Sequence, residues 1–139
     1  MNKRLVIFRG LPGVGKTWAA NELCLNNGYP VDNVCSSDRF HEVNGRYVFD
    51  SSKMGEAIAY CQMKVFRAMA EGHELVVVDN THTRKHEYAL YWCFAREFGY
   101  DVRVRDLYDG GMTDEQLFAR NVHGVPLEKI KQMRERYER

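Results

Sequence analysis

Three absences narrow the reading before any motif is considered. None of the four cysteines belongs to a Cys-x-x-Cys pair, and no histidine stands at zinc spacing from them. Cys24, Cys35, Cys61 and Cys93 are therefore expected to be buried free thiols. An excess of one charge sign is missing as well. With 20 Lys+Arg against 19 Asp+Glu the net charge is +1, so no global field draws the chain to nucleic acid or membrane, and any basic site must be local. Long apolar runs are the third absence. No stretch suits a bilayer span or a signal peptide, so a cytoplasmic protein with no membrane partner is expected. No repeat, low-complexity segment or linker is visible either. What remains is an ordinary globular composition, 45% hydrophobic and 28% charged over 139 residues. One domain over residues 1–139, burying about two-thirds of its unfolded surface, is expected.

The apolar pattern gives an order of elements. "LVIF" within Arg4 to Arg9 is a continuous run that suits a strand covered on both faces. A helical stretch follows from about Gly15 to Asn27. Val34 and Cys35 make a weak second strand, and Asn44-Gly45 marks a small hairpin. Met54, Ile58, Cys61, Val65 and Met69 recur at helical spacing, with Gly72 placed to stop that helix. "LVVVD", Leu75 to Asp79, is another buried strand. Thr83 is the expected cap of a helix running to Gly99. "DVRVRDL" alternates as an edge strand does. Thr113 to Gln116 reads as a capping box for a short helix, and Pro126 opens a last one. The order βαβαβαβ with terminal helices predicts an α/β fold, a parallel sheet with helices on both faces.

Gly10-Leu11-Pro12-Gly13-Val14-Gly15-Lys16-Thr17 fits G-x-x-x-x-G-K-[ST], and it sits between a buried strand and a helix, the context the motif requires. Glycines let the backbone curl so that its amides point at phosphate oxygens; Pro12 cannot donate, so the amides from Gly13 through Thr17 are expected to form the cradle. The positive end of the helix adds to it. Lys16 is expected on the β- and γ-phosphates and Thr17 on Mg²⁺. No guanine-reading Asn-Lys-x-Asp segment occurs, so ATP is the expected nucleotide.

Ligands of open parallel sheets gather at the carboxyl ends of the strands. Asp38 follows the second strand and Asp79 ends the third. Asp79 suits a Mg²⁺ ligand, direct or through water. Asp38 suits a base that orients an acceptor hydroxyl and takes its proton. Arg120, on the short helix, suits closure over the phosphates and stabilisation of transition-state charge. His123 reads as a helix-end cap, and Trp18 and Trp92 as packing residues.

"GLPGVGKTW", "SSDRF", "VVVDNTH", "FAREFGYDV" and "ARNVHGVPLEKIKQMRERYE" together resemble the P-loop 5′-hydroxyl polynucleotide kinases. The likeness is to the bacteriophage enzyme's kinase domain and the kinase-like module of the NEDD4-binding-protein-2 family. It implies a three-layer P-loop kinase fold with a four-stranded parallel sheet and a short lid helix. It makes Asp38 the general base, Lys16 and Thr17 the phosphate and metal grips, Arg120 the lid arginine, and Val125 the contact to adenine. The acceptor would lie among Asp38, Arg39, His41, Asn80 and Thr81. Two places depart from the phage pattern: His41 and His123 stand where that enzyme has arginines. Its Ser-Asp-Thr-Asn segment is Asp-Asn-Thr-His here, which moves the acid by one residue.

The expected activity is ATP- and Mg²⁺-dependent phosphorylation of a nucleic-acid hydroxyl, DNA rather than RNA. The acceptor would be a 5′-OH end, or the 5-hydroxymethyl group of a modified pyrimidine such as 5-hydroxymethyluracil in phage DNA. A small-metabolite or nucleoside kinase is a second reading. A nucleotide-binding regulatory module that transfers nothing is a third, and a carboxylate facing the γ-phosphate argues against it.

Overall fold

A computed structural model describes residues 2–139. Six strands and five α-helices follow one another along these residues: β1 (Arg4–Arg9), α1 (Lys16–Asn26), β2 (Val34–Cys35), β3 (Glu42–Val43), β4 (Arg46–Tyr47), α2 (Met54–Ala70), β5 (Leu75–Asp79), α3 (Ala89–Phe98), β6 (Asp101–Asp106), α4 (Asp114–Arg120) and α5 (Leu127–Arg136). Four strands make one parallel sheet in the order β2-β5-β1-β6, with Ile7 opposite Val78 and Val104. The expected α/β architecture and four-stranded parallel sheet are both present. The hairpin is present too: β3 and β4 pair antiparallel around Asn44 (φ 52°) and Gly45 (φ 79°), a turn that needs positive φ at both central residues.

The continuous apolar runs are explained by the layers. Leu5, Ile7, Val76 and Val78 face α2 and α3 through Cys61, Val65, Met69, Tyr91 and Ala95. Val6, Phe8, Leu75 and Val77 face α1 through Ala20 and Cys24. Central strands are thus covered on both sides, whereas β6 alternates between half-buried and exposed residues at the sheet edge. A third cluster, Leu11, Leu117 and Ile130, lies off the sheet and ties the loop after β1 to α4 and α5.

Three expectations fail locally. Thr83 is not a helix cap: its hydroxyl donates to Glu87 at 2.9 Å, a 3₁₀ turn spans Lys85–Tyr88, and α3 begins only at Ala89. The reason lies in Arg9, buried in β1, which donates to the carbonyls of His82 (3.0 and 2.8 Å) and Thr83 (3.1 Å) and holds that stretch out of the helix. Cys93 is exposed, although the other three thiols are buried. Trp18, 71% exposed, and Trp92 are not core packing residues. Among the described residues no helix is long and apolar enough to cross a membrane.

Candidate functional site

The loop between β1 and α1 is shaped by its glycines. Gly15 has φ 105°, a conformation side chains rarely adopt. Gly13 (φ 86°) has a second constraint, because a Cβ there would lie 2.3 Å from the Leu117 carbonyl oxygen in α4. The lid helix therefore rests directly on the loop. The Val14 amide is spent inside the loop on the Leu11 carbonyl at 3.2 Å, which removes it from the expected cradle. Among the described residues, no protein acceptor takes the amides of Gly13, Gly15, Lys16 and Thr17. Those four are free for an anion at the start of α1.

Lys16 reaches back to the Leu11 carbonyl at 3.3 Å. Burial pulls its ammonium below the ordinary lysine value, and the negative charges of Asp79 and Asp38 partly offset that. Thr17 donates its hydroxyl to Asp79 Oδ2 at 2.8 Å. Asp79 is buried at the end of β5; burial raises its pKa, with Lys16 and the Thr17 bond opposing. A hydroxyl and a carboxylate side by side next to free loop amides are the oxygen donors that Mg²⁺ takes along with phosphate oxygens. Among the described residues no cluster of three or more His, Cys, Asp or Glu side chains could hold a metal by itself.

One cavity of about 650 Å³ joins this loop to the second carboxylate. Lys16, Thr17, Asp38, His41, Thr81, Arg120 and Val125 all line it. Asp38 is half exposed in the 3₁₀ turn Ser37–His41. Ser36 caps that turn through the Asp38 amide (3.1 Å), and Asn80 Oδ1 accepts from the Ser37 amide (2.9 Å). Asn80 thus braces the turn that carries Asp38. Arg39 points elsewhere: its guanidinium donates to the Val31 carbonyl at 2.6 Å and approaches Asp32 at 3.5 Å. Neither residue lines the cavity; nor do Gly10, Val14 and the buried Asp79.

Arg120 donates Nε–H to the Gly13 carbonyl at 3.0 Å. Asn121 Oδ1 accepts from the Val125 amide at 2.8 Å and shapes the loop between α4 and α5. His123 leaves the helix-end role expected of it: its Nε2 lies 3.5 Å from Asp38 Oδ2, and its ring lies tilted against Tyr47 with the centroids 4.1 Å apart. Burial and the Asp38 charge push the Tyr47 phenol up to about 12.

Sequence reasoning missed several lining residues. Lys129, Met133 and Arg136 reach the cavity from α5; their spacing of four and three residues marks one helix face and is the signal that was there to find. Tyr47 and Phe49 come from the hairpin region, and no local pattern announces them. Arg134 seats α5 on the lid, donating to Asp109 (2.6 Å), Asp114 (2.7 Å) and the Met112 carbonyl (2.9 Å).

A family model described as "AAA domain" matches residues 5–139. The chain belongs to that family. Human NEDD4-binding protein 2 is 34% identical over 136 residues, which is 97% of this chain and 8% of the relative. The chain therefore spans a small part of that relative's length. Among solved structures, a mutant of the Mycobacterium tuberculosis APS kinase CysC superposes with a TM-score of 0.53 at 19% identity, covering 97% of this chain and 95% of the other. At that identity the likeness concerns the fold alone, a parallel α/β sheet flanked by helices. The expected likeness to NEDD4-binding protein 2 is borne out over nearly the whole chain.

Proposed function

We propose that this domain transfers the γ-phosphate of ATP to a hydroxyl of a nucleic acid, DNA rather than RNA. The observation that carries the reading is one cavity lined at once by Lys16, Thr17 and Arg120 and by the carboxylate of Asp38. A passive nucleotide binder needs the first group and has no use for the second. Asp38 accepts the proton of the acceptor hydroxyl as that oxygen bonds to the γ-phosphorus. The bond from phosphorus to the β,γ-bridging oxygen breaks, and ADP leaves. Lys16, the free amides and Arg120 balance charge on the transferring group. Thr17 and Asp79 would hold Mg²⁺, which neutralises phosphate charge when bound.

The nucleic-acid part of this reading rests on the sequence motifs shared with polynucleotide kinases and on the likeness to NEDD4-binding protein 2. It is tested with γ-labelled ATP and three acceptors: a 5′-OH oligonucleotide, a 5′-phosphorylated one, and a 5′-phosphorylated one containing 5-hydroxymethyluracil. Label on the first alone means an end kinase, and label on the third but not the second means a base kinase. Labelling of none, with rapid labelling of a sugar or nucleoside, rejects the nucleic-acid reading and leaves a small-metabolite kinase.

A further inference from the structure

Three separate segments meet at Asp38. The hairpin supplies Tyr47, the loop between α4 and α5 supplies His123, and the 3₁₀ turn supplies Asp38 itself. The His123 ring lies 4.1 Å from the Tyr47 ring at an interplanar angle of 37°, and its Nε2 is 3.5 Å from Asp38 Oδ2. Tyr47 is backed edge-on by His41 (5.9 Å, 74°), and Phe49 packs on His41 at 5.0 Å. His41 is only 4% exposed, so the platform under Tyr47 is firm.

His123 is held less well. Its Nδ1 is buried with no hydrogen-bond partner, a cost that leaving the site would relieve. Its chain neighbours are Val122, 84% exposed, and Gly124 with φ 68°. A bonded lid helix thus ends in a short loop, braced by Asn121 at its two ends, that places one ring over Tyr47. That ring does two things at once: it covers an aromatic face, and it brings a polar ring atom to the Asp38 carboxylate.

We propose that His123 is a stand-in for the acceptor, occupying a subsite that receives an unstacked nucleobase on Tyr47 with its hydroxyl directed at Asp38. This rests on the nucleic-acid kinase reading and names what that site recognises. Every base offers a π-face, and stacking of one base on an aromatic side chain is worth about 1–3 kcal/mol. Exchange of one ring for another leaves Tyr47 covered throughout. It also means that the acceptor competes with His123, which lowers apparent affinity by the fraction of open molecules.

Two 3′-fluorescein oligothymidylates with a 5′-OH separate the possibilities, one with a normal terminal nucleotide and one with an abasic tetrahydrofuran unit in its place. Binding by anisotropy and transfer by γ-labelled ATP are measured for wild type, Tyr47→Leu, Tyr47→Phe and His123→Ala. The wild type is expected to bind the base-bearing strand about tenfold more tightly, within the range of one stacked base. Tyr47→Leu should lose that preference and Tyr47→Phe keep it. His123→Ala should lower the acceptor KM about three- to tenfold without lowering kcat. Equal wild-type binding of the two strands overturns the subsite, and so does a kcat fall in His123→Ala. Transfer to both strands with equal KM defeats the ring subsite but leaves the kinase standing. Absence of both binding and labelling defeats the ring subsite together with the 5′-end form of the kinase reading.

Discussion

The Nε–H of Arg120 donates to the Gly13 carbonyl at 3.0 Å, so the lid arginine is anchored to the phosphate loop itself. The same glycine leaves no room for a Cβ beneath the Leu117 carbonyl. Lid helix and loop therefore keep a fixed relation, and the proposed transfer geometry depends on both. Gly13→Ala should push α4 off the loop and strain the backbone, lowering stability by about 1–3 kcal/mol. Transfer should fall about 10²-fold, the scale of an ångström of misplacement. Thermal melting and steady-state transfer check this, and a fully active, equally stable variant would refute the fixed lid.

Lys16→Ala removes the one cationic side chain of the loop and keeps its amides. Transfer should disappear and ATP binding weaken strongly, with weak residual binding through the amides. Calorimetric titration with ATP and Mg²⁺ measures the binding, and undiminished transfer would defeat the phosphate-site assignment.

Asp38→Asn preserves size and the Ser36-capped turn but removes the basic carboxylate. ATP affinity should stay within a few-fold while transfer falls by roughly 10² or more, the scale of a lost general base. Arg120→Ala should instead slow turnover for every acceptor alike. Equal loss of ATP binding and transfer in Asp38→Asn would assign Asp38 to the nucleotide and not the acceptor.

The strands and the phosphate loop were legible because their signals are local. "LVIF" and "LVVVD" are apolar throughout, as two-sided burial demands, and Gly10 to Thr17 carries its geometry in residue type. The positions of Asp38 and Asp79 after strand ends were legible from the strand pattern; the structure puts Asp38 on the cavity wall and Asp79 behind Thr17. Arg39 and Asn80 were adjacent to the right residues, yet one turns to Val31 and the other braces a backbone amide. The pairing of His123 with Tyr47 joins segments 76 positions apart in sequence, and only the folding of hairpin and lid over one cavity brings them together. Thr83 failed as a cap because Arg9, distant in sequence, claims its carbonyl.

Asp79 is buried beside Lys16 and Thr17, and burial penalises its charged form. Asp79→Asn should therefore leave the ligand-free protein as stable as wild type, or more so. Its cost should appear only with ligand: the stabilisation that ATP and Mg²⁺ give the wild type, about 2.7 kcal/mol at a hundred times Kd and read as a rise in Tm, should largely vanish. Melting curves with and without Mg²⁺ make the comparison. Retention of the full Mg²⁺-dependent rise would remove Asp79 from the metal site.

His82 supplies a pH dependence with a definite sign. The residue is buried with φ 46°, its Nε2 lacks a partner, and its ring stands edge-on to Tyr88 and Tyr91. Burial first, then the positive charges of Arg9 and Lys16, lowers its pKa from 6.5 to about 3. Between those values the unfolded chain binds a proton that the folded chain refuses, so stability is present in full above pH 6.5 and is lost as pH falls toward 3. Asn removes the titrating group and tolerates the left-handed backbone, while the His82 carbonyl that Arg9 uses is retained. Urea unfolding at pH 7.5, 6 and 5 should show wild type weakening stepwise below pH 6.5 and His82→Asn weakening less. Parallel pH profiles for the two proteins would mean that the acid sensitivity arises at another group.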